Sequence, residues 1–273
     1  MRAGARHAVM CALVLLMIYP LIWMVVSSIK PGNLVLSEPG LVPSEVTFQN
    51  YRDGWNALDE PFSLFFANSL FVSVGSIVGN LVSCSLAAYA LARLEFRGRR
   101  LYFAITLVSV MLPLHVLVVP QYIFFSQLGM VNTYFPLLLP KFLATDAFFT
   151  FLMVQFIRTI PRTLDEAAMI DGCGKIRIFT RIILPLLGPV LITTVIFTFI
   201  WTYNDFFSQL IYLSYPETET VPVALRRFVD ATGDSSYGQL LAMSVLSLVP
   251  TFVVFLIAQK RIVEGIATTG LKG

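Results

Sequence analysis

The sequence predicts an all-α polytopic membrane protein: six transmembrane helices, with a helical loop on the cytoplasmic side between the fourth and fifth. Three observations lead there. Of 273 residues, 57% are hydrophobic and only 13% charged, with a mean hydropathy of +0.78. A water-soluble domain carries about 25% charged residues, so this chain cannot clothe a surface of that kind. Charge-free runs recur at 7–29, 61–92, 101–140, 182–204 and 235–259, and a helix needs about 20 such residues to cross roughly 30 Å of hydrocarbon. Lys and Arg, finally, crowd into alternate loops. Together these set aside a soluble enzyme, a disordered chain and a disulfide-stapled secreted module. A net charge of +3 is too small to suggest nucleic acid. Cys11 and Cys84 lie in apolar runs and Cys173 in a basic loop, which outlines no disulfide framework.

Taken in order, Arg2 and Arg6 precede an apolar stretch that could pass for a signal peptide. It is too long for a signal core and has no small-x-small cleavage site, so it reads as a retained first helix over about 8–29. The second run gives a helix over 64–92. The third has 40 residues, about twice what one crossing needs at about 1.5 Å per residue. Gly129 and Asn132 break it, leaving helices over 101–126 and 133–157. The last two runs give 186–208 and 236–259. No internal repeat or low-complexity segment interrupts residues 1–273, which read as a single domain.

Orientation follows from the loops. Arg2, Arg6, Arg93, Arg97, Arg99, Arg100, Arg158, Arg162, Lys175, Arg177, Arg181, Lys260, Arg261 and Lys272 fall on one side; Lys30, Arg52, Arg226 and Arg227 fall on the other. Positive charge collects in the cytoplasm, which puts both termini there and agrees with an even number of spans. The outer segments 30–60 and 205–234 are long enough to touch a partner outside.

The inner loop 158–185 stands apart. Leu164, Ala167, Ala168 and Asp171 share one helical face by spacing, and Ile176, Phe179 and Ile183 another. Pro161 breaks the preceding helix, and Thr163 with Glu166 fits a capping box. Gly172 and Gly174 then end the first helix, and Pro185 marks entry to the fifth span. The pattern predicts two short helices joined by a glycine turn outside the membrane, a shape suited to a groove in a cytoplasmic protein.

Glu166-Ala167-Ala168, then Gly172, Ile182 and Leu184-Pro185 at their spacing resemble the signature of permease subunits of type I ATP-binding-cassette importers. Ile160-Pro161, Leu164 and Asp171-Gly172 resemble the carbohydrate-uptake branch, with Cys173 where that branch often has Ala. Similar patterns elsewhere are Thr47 with Asn50-Tyr51, Asn68-Ser69, Ala87-Ala88-Tyr89-Ala90, Asn132-Thr133-Tyr134, Trp201 with Asn204-Asp205-Phe206, and the tail from Gly265 to Lys272-Gly273. The tail departs from the branch at Thr269 and Leu271.

The resemblance implies that the loop docks in a cleft of a cytoplasmic ATPase dimer, which binds ATP and Mg; this chain itself holds no cofactor or metal. Glu166 would pair with a basic residue of the ATPase, Ala167 and Ala168 would permit close approach, and Gly172 would set the turn. Each also has a local reading, Glu166 as a cap partner and Gly172 as a helix terminator. A second permease subunit, an extracytoplasmic solute-binding protein and a bacterial plasma-membrane location are implied as well, with 214–234 resembling a loop that probes the binding protein. There is no phosphate loop ending in Gly-Lys-Ser/Thr, so ATP hydrolysis is expected of the partner and not of this chain.

Substrate-pathway candidates are fewer. Lys141 and Asp146 interrupt the fourth span, where charge is costly. At five residues' spacing they are about 140° apart on a helix, so Lys141 is expected to snorkel and Asp146 to pair with another helix, unless both serve the pathway. Trp201, Tyr203, Asn204 and Asp205 combine aromatic faces with hydrogen-bonding groups, which suits a polyol and equally an interfacial anchor. His115, between Pro113 and Pro120, reads as satisfying a broken helix. Two other functions compete: a stand-alone secondary transporter, which would want an internal repeat or an ion relay, and an importer permease for a non-sugar solute.

Overall fold

The computed structural model describes residues 2–230 and 236–270, with the side chains of Arg2, Ala3, Ala5, Leu114, His115 and Ser236 and those beyond Gln259 outside the description. All regular structure among the described residues is helical. The chain divides into two compact units, one formed by 1–67 and 220–250 and the other by 68–219 and 251–273.

The first unit begins with α1 (Arg2–Ser28), whose outer surface is apolar and exposed along most of its length. Its last carbonyls need partners, and the residues after it supply them. Asn50 at the start of α2 (Gln49–Trp55) donates to the carbonyls of Ser28 and Lys30 at 2.8 and 2.7 Å, and Thr47 N–H donates to Ile29 O at 2.7 Å. The hydroxyls of Ser28 and Tyr51 are hydrogen-bonded at 2.7 Å. Lys30 is 0% exposed, and its ammonium donates to the carbonyls of Glu38 and Gly40, both at 2.6 Å. The Thr47-Asn50-Tyr51 pattern is therefore a clamp on the end of the first helix. The unit's core joins Phe62 and Phe65, at the start of α3 (Phe62–Arg93), to further elements of the same unit.

The second unit holds the rest of α3 and the elements α4 (Arg99–Val110), α5 (Leu114–Gln127), α6 (Phe135–Phe142), α7 (Ala147–Thr159), α8 (Thr163–Ile170), α9 (Lys175–Ile178), α10 (Gly188–Tyr203) and α11 (Phe207–Tyr212). The first unit is completed by α12 (Val221–Asp230) and by α13 (Ser236–Gly270) as far as Pro250. On α12, Val221, Ala224 and Phe228 turn into the core with Phe62, Phe65 and Met243, while Arg227 pairs with Asp59.

Several expected spans come out differently. The run 101–126 is not one helix: α4 and α5 are separated at Met111–Pro113. Pro113 lacks an N–H and pushes Leu112 away from helical geometry. With 12 and 14 residues, at about 1.5 Å each, neither piece alone reaches 30 Å. The run 133–157 breaks between α6 and α7, with Ala144 at φ +56°. Helix α10 stops at Tyr203, short of 208, and meets the preceding segment Lys175–Leu186 at a 74° bend. Pro189 cannot bond to the turn before it and crowds that carbonyl. Among the described residues four helical stretches are long and apolar enough to cross a membrane, Arg6–Ser28, Phe62–Arg93, Phe135–Thr159 and Tyr237–Gln259, or five with the bent pair. The turn at Gly129 and Asn132 falls where the sequence puts it. Gly129 has φ +66° and ends α5 in a Schellman motif, Met130 N–H bonding Phe125 O and Gly129 N–H bonding Ser126 O. Asn132 at φ +63° accepts from Ser214 N–H at 2.7 Å and donates its own N–H to Tyr212 O.

Candidate functional site

Two groupings of polar residues stand out, both within the second unit. The first is the loop after α7. Helices α8 and α9 are joined by Asp171–Gly174. Gly172 has φ +78°, and α8 closes in a Schellman motif, Cys173 N–H to Ala168 O at 2.9 Å and Gly172 N–H to Met169 O at 3.1 Å. A Cβ on Gly172 would meet nothing within 4 Å, so only its backbone angle demands glycine. The expected capping box does not form. Helix α8 starts at Thr163 itself, with Arg162 at the cap and no side-chain cap bond. Thr163 thus lies inside the helix, and Asp165 and Glu166 occupy the first turn, where the helix dipole favours negative charge.

The faces also differ from the spacing. Leu164, Ala167 and Asp171 are exposed, and the inward ridge of α8 is Asp165 and Ala168. Spacing marks which residues share a side, not which side is covered, and the covered side carries a carboxylate because a cation waits beneath it. Asp165 Oδ2 lies 2.9 Å from Arg93 Nε, with side chains 12% and 5% exposed. Arg93 Nη2 also donates to Ile160 O at 2.6 Å. Tyr89 Oη donates to Lys175 O at 3.1 Å, and its ring lies 5.1 Å from that of Phe179. Below α9, Ile178, Phe179, Ile183 and Leu187 bury against Ala88, Met153, Val154 and Ile157 of α3 and α7, with Ile182 and Leu184 packed on the rim.

The opposite face is bare: Leu164, Glu166, Met169, Ile170 (87% exposed) and Ile176 (81%) look outward. Of the eight residues singled out by sequence, Glu166, Ala167, Asp171, Gly172 and Pro185 are exposed, while Ala168, Ile182 and Leu184 turn toward the bundle. The loop is thus an element with one side bolted to the helices and the other free. Sequence reasoning missed Tyr89, Arg93 and Asp165. The available signal was Asp165, one of three acids in a loop otherwise rich in Arg and Lys; Arg93 was hidden among topology-setting arginines.

The second grouping lies where α3, α6, α7 and α10 meet. Lys141 Nζ bonds both oxygens of Asp146, at 3.1 and 2.9 Å. The helical-wheel separation does not apply, because the chain leaves the helix between them at Ala144. Lys141 does not snorkel away from Asp146. Asn80 Nδ2 donates to Asp146 Oδ2 at 2.6 Å and to Thr198 Oγ1 at 3.1 Å, and Ser83 Oγ donates to Lys141 O at 2.6 Å. The close approach rests on Gly75 and Gly79, where a Cβ would lie 2.8 Å from Leu138 and 2.9 Å from Lys141. Gly75 and Gly79 form a Gly-x-x-x-Gly pair, the signal for tight helix contact in membranes that could have revealed this site.

The remaining candidates do not converge. Trp201 is 50% exposed and packs among Phe148, Phe149 and Phe197 at about 5.5 Å. Tyr203 is buried against Phe199. Asn204 donates back to Ile200 O, and Asp205 accepts from Ser208 N–H at the start of α11. Among the described residues no three His, Cys, Asp or Glu side chains gather to hold a metal.

Residues 79–265 match the family described as binding-protein-dependent transport system inner membrane component. The chain is 35% identical over 269 residues to the trehalose/maltose transport system permease protein MalG of Thermococcus litoralis, covering 97% of this chain and 95% of the relative. It is 34% identical over 255 residues to the probable ABC transporter permease protein YurM of Bacillus subtilis (93% and 84%), and 31% identical over 258 residues to the diacetylchitobiose uptake system permease protein DasC of Streptomyces coelicolor (94% and 92%). It superposes with a TM-score of 0.84, at 26% identity and over 94% of this chain and 95% of the other, on a chain from a bacterial ABC transporter involved in the import of the acidic polysaccharide alginate.

Proposed function

We propose that this chain, which belongs to the binding-protein-dependent transport system inner membrane component family and is a permease subunit of an ATP-binding-cassette importer, carries a sugar or sugar derivative and takes its driving force through the loop α8–α9. It is a multi-pass inner-membrane protein and a transport component, not an enzyme. The cargo assignment rests on relatives whose names give trehalose/maltose and diacetylchitobiose as solutes. Six crossings follow if α4 and α5 cross as one broken span and the bent pair as another, and the arginine-rich loops then put both termini in the cytoplasm.

One observation carries the coupling role: the two-faced loop. Its inner face is fixed to α3 and α7 by Arg93–Asp165, by Tyr89 and by the Ile178–Ile183 core, so a displacement of the loop moves those helices. Its outer face offers Glu166 beside Met169, Ile170 and Ile176, an apolar surface edged by the acids Glu166 and Asp171, suited to a cytoplasmic ATPase dimer that binds ATP and Mg. Ala167 and Asp171 complete that surface, Gly172 sets its turn, and Ile182, Leu184 and Pro185 lead into α10. A second permease subunit and an extracytoplasmic solute-binding protein complete the assembly, the latter supported by the family's own description. On the cargo side, the half-exposed ring of Trp201 offers a stacking face, while Tyr203 is buried and Asn204 and Asp205 bond within their own turns. Lys141 and Asp146 satisfy each other, which favours a role in holding the pathway helices over direct contact with a solute.

Glu166→Lys and deletion of 161–175 test the reading. Both variants reach the membrane, lose the co-purifying ATPase and stop uptake. Normal uptake with normal ATPase stimulation in Glu166→Lys would refute docking through this face. Ligand screening of the co-expressed binding protein tests the cargo, and a non-sugar ligand would overturn it.

A further inference from the structure

We propose that the arginine-lined hollow between the start of α4 and the end of α7 binds the phosphate headgroup of an anionic phospholipid. A hollow of about 550 Å³ takes in Glu95, Arg99, Arg100 and Arg158, and an adjoining one of about 420 Å³ takes in Arg93, Arg99, Arg158 and Arg162. Five arginines therefore line one concave region, and among the described residues Glu95 is the single acid lining it.

Two of the five have other work. Arg93 is paired with Asp165, and Arg99 donates to the carbonyls of Leu91 and Ala92, closing the end of α3. Arg100, Arg158 and Arg162 are exposed and have no acid within 4 Å among the described residues. Arg158 instead lies over the ring of Phe103, 4.7 Å from its centroid, which holds the cation at the edge of the hollow without neutralising it. Like charges collected in a concavity repel one another, and an anion with several acceptor oxygens relieves that repulsion while using the fork geometry of arginine. The start of α4 also opens into the hollow at Gly98, adding the positive end of a helix dipole.

The occupant is a lipid and not a free ion because of what adjoins the basic region. Helix α4 buries none of its residues, and Leu101, Ile105 and Val108 form an exposed apolar row rising from the arginines. A molecule with a phosphate at one end and an acyl chain at the other matches that succession of charge and grease, and basic clusters beside membrane helices attract anionic lipids by this chemistry.

The test uses the complete transporter, purified with its partner subunits in neutral detergent. Native mass spectrometry counts retained phosphatidylglycerol, and titration into discs of phosphatidylglycerol or phosphatidylcholine gives the preference. The wild type retains phosphatidylglycerol and prefers it. Arg100→Gln with Arg158→Gln lowers that preference roughly 25-fold, at about fivefold per basic side chain, with an unchanged melting curve in phosphatidylcholine. The charge-keeping pair Arg100→Lys with Arg158→Lys retains most of it, which separates loss of charge from loss of folding. Excess inorganic phosphate leaves the lipid bound. An undiminished preference in the Gln pair, displacement by inorganic phosphate, or loss of the ATPase subunit with lipid retention unchanged would each overturn the proposal.

Discussion

Substitution of Asp165 by leucine isolates the attachment of the coupling loop from its docking face. Asp165 meets Arg93 at 2.9 Å, and the two side chains are 12% and 5% exposed, so neither charge has water to fall back on. Removing one partner of a buried pair costs about 3–5 kcal/mol, since the other charge stays buried. Arg93 keeps its bond to Ile160 O, so the lower figure applies. At 1.4 kcal/mol per decade, about 3 kcal/mol makes local opening roughly 100-fold more frequent. Hydrogen exchange reads this directly: the amides of 165–173 should lose about two decades of protection, while α10 changes little. Solute-stimulated ATP hydrolysis should persist as uptake falls, because a loose loop still docks but no longer carries α3 with it. Combining Asp165→Leu with Arg93→Met should recover most of the protection, because a well-packed apolar pair replaces a buried ion pair at little net cost. Protection unchanged within about threefold in Asp165→Leu, or a double variant worse than the single, would refute the reasoning.

Three further outcomes are expected. Gly79→Leu places a side chain against the backbone of Lys141, where a Cβ already comes within 3.0 Å of its carbonyl carbon; it should destabilise the transporter by about 1–3 kcal/mol in thermal unfolding, while Val78→Leu on the exposed side of the same helix should not. Gly172→Val should cost about 1–2 kcal/mol from the left-handed backbone alone, and Gly172→Asn clearly less, as ranked by hydrogen exchange across 167–175; equal effects would place the strain elsewhere. Asn80→Leu removes a 2.6 Å bond to a carboxylate and should lower stability by about 1.5–3 kcal/mol, with a smaller loss in Asn80→Ser; melting curves of the purified assembly check both.

Much of the helical layout was legible locally. Apolar runs mark the helices because hydrocarbon leaves backbone groups no other partner. Gly129, Asn132 and Gly172 could be read as turns because a left-handed angle is a property of one residue. The interior of 101–126 was misjudged for the opposite reason. Its composition is uniformly apolar, so the weight of Pro113 was lost against hydropathy, although proline acts on the backbone whatever surrounds it. The pattern Thr47-Asn50-Tyr51 was visible as a motif, but its work of closing the end of α1 depends on a chain reversal that spacing does not express.

Membrane insertion, the positions of most helices and a two-helix loop with a glycine turn can be read along the chain, because short-range preferences and the surrounding solvent set all of them. Which charges meet depends on the packed fold. Lys141 and Asp146 join because the helix between them breaks, Asn80 reaches Asp146 from 66 residues away, and Asp165 turns inward because Arg93 lies beneath it. A buried charge has to find its counterpart wherever the fold brings one, and that partner is defined by distance through space, which periodicity along a chain does not encode.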